Sequence, residues 1–249
     1  MELDYQFDPN NPSFFEDIYP NNWQMTRWEK FAFIALVQRF QPEVAIEIGN
    51  AQGGSLQVLS KVCKKIYALD FDKEVHDTLR PQFKNNDIEF LTGDSKVIMP
   101  EVLAKIQSNG EKLGFVLIDG DHSTKGVRAD INSILHNYIP VTEVVIIFHD
   151  SFNPICRQGI LTADWTSCPY VHFVDVDYLP GAFFNETYKN SVKGSMWGGL
   201  SLAIMKPEKR SGELKVRQSL LPMYEILFKK SRYNSFRFKA REFLQSKAD

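Results

Sequence analysis

Phe115-Val-Leu-Ile118 runs straight into Asp119-Gly-Asp-His122, four apolar residues followed by two carboxylates and an imidazole. An apolar run of this length with β-branched members suits a strand covered on both faces, the habit of a parallel sheet. The polar cluster then falls at the strand's carboxyl end, where open α/β sheets bind ligands. The pattern recurs along the chain. Val44-Ala-Ile-Glu-Ile48 leads into Gly49-Asn-Ala-Gln-Gly-Gly-Ser55, Ile66-Tyr-Ala-Leu-Asp70 ends on a carboxylate, Ile88-Glu-Phe-Leu91 leads into Thr92-Gly-Asp-Ser95, and Val144-Val-Ile-Ile-Phe148 ends on His149-Asp150.

Helical patterns separate these runs. Thr26-Arg-Trp-Glu29 has the form of a capping box and opens a helix of about Thr26 to Phe40, stopped before Pro42. From Ser123 to Tyr138, Val127, Ile131, Ile134, Leu135 and Tyr138 recur at helical spacing. Strands alternating with helices predict a doubly wound, mostly parallel sheet. After Asp150 the rhythm changes: Val171–Tyr178 and Gly198–Met205 read as two late strands, an antiparallel addition at one edge, and the tail from about Leu214 reads as helical.

At 249 residues with 43% hydrophobic content the chain suits one large domain. A net charge of −2 offers no global attraction to nucleic acid or to an anionic membrane. The charge is uneven, because residues 206–249 hold 12 Lys and Arg against 5 Asp and Glu. The longest apolar run, Phe31 to Val37, is far short of the ~20 residues that a spanning helix needs. Met1-Glu-Leu-Asp-Tyr5 lacks the basic and apolar regions of a signal peptide. Cys63, Cys156 and Cys168 are too few and too scattered for a disulfide framework or a zinc cage, so a cytoplasmic setting is expected.

The turn from Gly49 to Ser55 is not a full GxGxxG, since Ala51 holds the second glycine position; it either cradles a ligand at a helix N-terminus or simply joins two elements. Asp70, twenty-one positions after Gly49, sits where a carboxylate accepts hydrogen bonds from ribose hydroxyls, a spacing that nicotinamide enzymes share.

Taken with Gly93-Asp-Ser95, Gly126-Val127, Asp130 and Phe148-His-Asp150, these elements resemble the class I S-adenosylmethionine-dependent methyltransferases, in the small-molecule O-methyltransferase branch that includes macrolide-sugar and cephalosporin-pathway enzymes. The resemblance implies a seven-stranded Rossmann-like sheet with an antiparallel edge strand. It divides the chain into an N-terminal arm (1–25), a methyltransferase domain (26–205) and a basic helical extension (206–249). It places Glu47, Gly49 and Gly53 at the methionine side of the cofactor, Asp70 at the ribose and Asp94 with Ser95 at the adenine, with Asp119 at both cofactor and reacting centre. His122 suits a general base, because an imidazole titrates near working pH. In metal-dependent relatives, carboxylates at these strand ends hold a divalent cation, and Asp119 and Asp150 match, with magnesium or manganese expected. His149 is the departure, since many such relatives carry a carboxylate there and imidazole is a poor magnesium ligand.

Trp165, Tyr170, Tyr178, Phe183, Phe184, Tyr188 and Trp197 lie where such enzymes build an acceptor pocket, and Asn185 and Asn190 fit a glycosyl or polyol acceptor. Lys229-Lys-Ser-Arg232 and Arg237-Phe-Lys-Ala-Arg241 read as a helix docked on the domain or on a second subunit, ahead of a membrane contact. Rival readings are an NAD(P)-dependent oxidoreductase and a non-catalytic binding module on the same fold.

Overall fold

The computed structural model of the chain describes residues 19–187 and 192–235. Most of the N-terminal arm, Tyr188, Asn190 and Arg237–Arg241 of the basic tail lie outside the described residues. In chain order the elements are α1 (Arg27–Phe40), β1 (Val44–Ile48), α2 (Leu56–Leu59), β2 (Lys65–Asp70), α3 (Lys73–Leu79), β3 (Ile88–Thr92), α4 (Ser95–Ser108), β4 (Leu113–Ile118), α5 (Thr124–Asn137), β5 (Val144–His149) and α6 (Pro154–Leu161). There follow β6 (Val171–Leu179), the two-residue strands β7 (Ala182–Phe183) and β8 (Met196–Trp197), β9 (Leu200–Met205), β10 (Val216–Arg217), α7 (Leu221–Lys230) and a 3₁₀ turn.

Local chemistry sets the helix ends. At α1 both halves of the capping box form: Thr26 N–H donates to Glu29 Oε2 at 2.5 Å, and Glu29 N–H reaches Thr26 Oγ1. Ser123 caps α5 by accepting from Gly126 N–H at 2.9 Å, and Asp121 accepts in turn from Ser123 N–H at 2.8 Å. Gly126 is required there, because a β-carbon on it would lie 2.1 Å from the Asp121 carboxylate.

The main sheet has the spatial order β10-β6-β9-β5-β4-β1-β2-β3 and a mostly parallel, Rossmann-like α/β architecture. Strands β1 to β5 pair in parallel, and β9 runs antiparallel to both β5 and β6. The reversed strand therefore has neighbours on either side, and the short β10 adds an eighth strand at the margin. Gly198 and Gly199 do not extend β9 as the sequence pattern predicts: at φ +72° and +81° they occupy the left-handed region, closed to an extended strand.

Two-residue alternation sends side chains to opposite faces. Ile46, Ile48, Val116, Ile118 and Ile146 pack with Met99, Leu103, Ile131 and Ile134 of α4 and α5. Ala45, Phe115, Leu117, Val145 and Ile147 pack with Phe33 and Val37 of α1 and with Leu56 and Leu59 of α2. Trp165 belongs to the core: its ring meets Phe148 edge-on and its Nε1–H donates to the Ile160 carbonyl. The described part of the tail docks on the domain through Tyr224, which packs with Phe152, Met196 and Tyr233 and carries the Arg157 guanidinium over its ring at 4.0 Å. Among the described residues no helix is long and apolar enough to cross a membrane.

Candidate active site

Because β1 to β5 are parallel, their carboxyl ends share one edge. Across that edge the order is His149, Asp119, Gly49, Asp70 and Gly93, one from the end of each strand. The chain leaves β1 toward β2 on one side, while β4 flanks it on the other, which makes the β1/β4 border the topological switch point. A cavity of about 580 Å³ opens there. Of the residues singled out from sequence, Gly49, Asp70, Asp94, Ser95, Asp119 and His122 line it, whereas Glu47 and Gly53 lie behind its wall and His149 and Asp150 sit beyond Asp119. Trp23 and Met25 of the supposed arm line it too; their stretch has no periodicity from which sequence reasoning could place them.

The β1 turn is built for close packing. A β-carbon on Gly49 would lie 2.0 Å from the Asp119 carbonyl oxygen, and Gly49 has φ +86°. Glycine is thus needed here to seat the turn against the end of β4. Asp70 gathers the same turn, accepting from Asn50 N–H at 2.8 Å and Ala51 N–H at 3.3 Å through Oδ2, while Oδ1 accepts from Asp72 N–H. Behind it, His76 is fully buried and bridges Thr92 Oγ1 at 2.7 Å and Asn50 Oδ1 at 3.0 Å. A lone histidine without motif context gave no hint of this role. Glu47 is fully buried and accepts from Ser55 Oγ–H at 2.7 Å through Oε1, while Oε2 has no hydrogen-bond partner. Burial pushes its pKa up to about 8, so the folded protein holds it as a neutral acid near pH 7.

At the far end, Asp94 caps α4 by accepting from Lys96 N–H at 3.0 Å, and Ser95 Oγ–H donates to buried Asp130 at 2.6 Å. Burial lifts Asp130 to about 6.

The electrostatic centre is the group Asp119, His149, Asp150 and His122. His149 Nδ1 lies 3.1 Å from Asp119 Oδ1 and 3.7 Å from Asp150 Oδ2. His122 Nε2 lies 3.3 Å and 3.1 Å from the same two oxygens. Burial works against ionisation of Asp119, yet His149 and His122 hold its pKa down to about 2. Hydrogen bonds to Asp119 and Asp150 push His122 up to about 10, against the opposing effect of its partial burial. His149 is raised well above the ordinary imidazole range, because Asp119 and Asp150 outweigh its burial. Asp150 has φ 57°, a left-handed conformation that aspartate tolerates, and its Oδ1 accepts from Gly198 N–H at 2.5 Å. Trp197 meets the His122 ring edge-on at 5.9 Å and forms an aromatic wall beside it. Glu29 completes the surroundings with Oε2 3.7 Å from His149 Nε2, a contact that a capping-box reading of α1 could not reveal.

Asp119, His149 and Asp150 offer two oxygens and one nitrogen within 4.8 Å of one another. For metal–ligand bonds of about 2.1 Å, adjacent ligands of one cation stand about 3 Å apart. The donor set fits a divalent cation.

The family model described as Rhamnosyl O-methyltransferase/CmcI matches residues 24–170, more than half of the chain. The chain belongs to this family. The matched span runs from the end of the arm through β5 and α6, so it holds the Asp70 turn, Asp94, Ser95 and the Asp119–His122–His149–Asp150 cluster, and leaves out the Trp197–Gly199 wall. Membership separates this methyltransferase from the nicotinamide enzymes that share its glycine turn. A search of curated proteins gives no match. Among solved structures, an O-methyltransferase from Bacillus cereus in complex with SAH is 18% identical, with 82% of this chain and 94% of that one covered at a TM-score of 0.54. The O-methyltransferase TomG from Streptomyces achromogenes, involved in tomaymycin synthesis and solved with SAM, is 13% identical, with 73% and 81% covered at 0.52. At these identities the likeness is one of fold.

Proposed function

We propose that this O-methyltransferase uses S-adenosylmethionine to methylate a hydroxyl of a small molecule or glycan, with a divalent cation held by Asp119, His149 and Asp150. The observation that carries the reading is the continuous arrangement from the Asp70 turn, through the cavity, to the Asp119–His122–Asp150 cluster. A cavity of about 580 Å³ is of the size that encloses a small ligand. The polar side chains that line it, Asn22, Gln52, Asp70, Asp94, Ser95 and Asp119, suit a cofactor rich in hydroxyl, ammonium and carboxylate groups. When bound, S-adenosylmethionine supplies an electrophilic methyl carbon, and the cation supplies a Lewis acid for the acceptor oxygen.

The chain's own residues do the rest. Asp70 orders the β1 turn through Asn50 and Ala51 and offers its remaining lone pairs to ribose hydroxyls. Asp94 and Ser95 close the adenine end of the cavity. Neutral Glu47 leaves the methionine side without a buried negative charge at pH 7. His122 is the half-exposed member of the cluster and faces the cavity, so it is the base proposed for the acceptor hydroxyl. In the resting site its proton is held between Asp119 and Asp150. With those carboxylates turned to a cation, the proton would lose that support and pass to solvent, and the neutral imidazole would then be free to take the acceptor's proton. Trp197, edge-on to the His122 ring, is the aromatic side chain proposed to pack against a sugar ring or an aromatic acceptor.

The test is methyl incorporation from labelled S-adenosylmethionine into polyhydroxylated acceptors. Label in an alkali-stable ether is expected. Label in an ester or an amine, or no transfer to any hydroxyl, would refute the reading.

A further inference from the structure

Glu29 calls for an explanation that the capping box does not give. A glutamate in the first turn of a helix ordinarily reaches solvent, but Glu29 is 1% exposed. Both of its oxygens are fixed by backbone amides from separate elements: Thr26 N–H donates to Oε2, and Gly199 N–H donates to Oε1. The Gly198–Gly199 turn is shaped for this, since a β-carbon on Gly198 would stand 2.5 Å from Glu29 Oε1. The carboxylate is thus an immobile acceptor. It faces His149 Nε2 at 3.7 Å, a buried nitrogen with no hydrogen-bond partner of its own. On the opposite side of the same ring, Nδ1 faces Asp119 and Asp150.

We propose that Glu29 is a positioning residue that orients His149 as a nitrogen ligand, so that the Asp119–His149–Asp150 site selects a divalent cation of the first transition series over magnesium. The inference rests on the reading of that cluster as a cation site. An imidazole coordinates through one nitrogen, and an acceptor fixed on the other sets both tautomer and ring orientation, as carboxylate–histidine–metal triads do. In the cation-free site Nδ1–H donates to Asp119 at 3.1 Å. A cation on Asp119 and Asp150 would displace that proton to solvent, and with Nε2–H directed to Glu29 the Nδ1 lone pair would then be left for the cation. Magnesium favours an all-oxygen shell, whereas manganese, cobalt and zinc accept imidazole readily. Glu29 comes from α1 and reaches the site from behind, so it can act on His149 without touching the cation.

The test titrates chelator-stripped full-length protein with Mg²⁺ and Mn²⁺ by calorimetry and with Co²⁺ by visible absorption, whose band positions report nitrogen ligation. Binding of Mn²⁺ and Co²⁺ at least ~10-fold tighter than Mg²⁺ is expected. Glu29→Gln should weaken Co²⁺ by ~10–100-fold while changing Mg²⁺ less. His149→Asp, which leaves the α1 cap intact, should invert the preference and shift the Co²⁺ bands. Equal affinity for Mg²⁺ and Co²⁺ in the native protein, or unchanged Co²⁺ binding and spectrum in folded Glu29→Gln, would overturn the role of Glu29 and leave the cation site standing. No binding of any of these cations at millimolar concentration would overturn the cation site and this inference with it.

Discussion

Replacing Glu47 by glutamine removes a titration that burial imposes on the fold. The folded protein holds the Glu47 proton up to about pH 8, against an ordinary value of 4.5. Between those values the unfolded chain has lost the proton and the folded chain has kept it, so stability falls as pH rises. The contribution is fully present below the unfolded value and is lost as pH climbs through the folded one. At ~1.4 kcal/mol per unit, the whole window is worth on the order of 5 kcal/mol, a large share of a typical domain's stability. A glutamine side chain there can still accept from Ser55 through its carbonyl oxygen and carries no proton to lose. Urea unfolding followed by tryptophan fluorescence at pH 5, 6, 7, 8 and 9 reads the difference directly. The native protein should lose on the order of 4 kcal/mol more than Glu47→Gln over that range. Parallel stability profiles for the two proteins would refute the reasoning.

Other substitutions probe separate links. Gly49→Ala should cost more than ~2 kcal/mol, because φ +86° and the Asp119 carbonyl 2.0 Å from the added carbon leave it no room; a thermal midpoint within a degree of the native value would show that the turn relaxes. Asp177→Asn should cost ~3–5 kcal/mol in denaturant unfolding, since it strands the buried Arg157 guanidinium that Asp177 contacts at 2.5 Å; a loss below ~1 kcal/mol would show that Gln218 and water replace the partner. His122→Ala should lower turnover by ~10²–10⁴ while leaving S-adenosylhomocysteine affinity within a few fold, and unchanged turnover would remove His122 from the chemistry.

What the sequence revealed follows from how each feature is encoded. The five parallel strands, the capping box at Thr26 and the helix that starts near Ser123 are local patterns of hydrophobicity and hydrogen-bonding side chains, and the structure contains them within a residue or two. The strand-end position of Asp119 and Asp70 was legible for the same reason. The two-residue strand β10 carries no periodicity, and the pattern draws Gly198–Gly199 into a strand because an apolar run hides a change of φ sign. Glu29 and His76 were invisible as site residues, since each acts through a tertiary contact: Glu29 with residues 120 and 170 positions away, His76 across two strand ends. His149 stood out in the sequence as a departure from a carboxylate. Only the fold supplies Glu29 behind it.

The central claim is that the strand-end cavity binds S-adenosylmethionine and its product. Calorimetric titration of the full-length protein with S-adenosylhomocysteine tests it most directly. The account predicts one saturable site per chain, markedly weakened in Asp70→Ala, and no binding of NADH to the same preparation. Absence of heat at millimolar S-adenosylhomocysteine, or saturable NADH binding in its place, would contradict it.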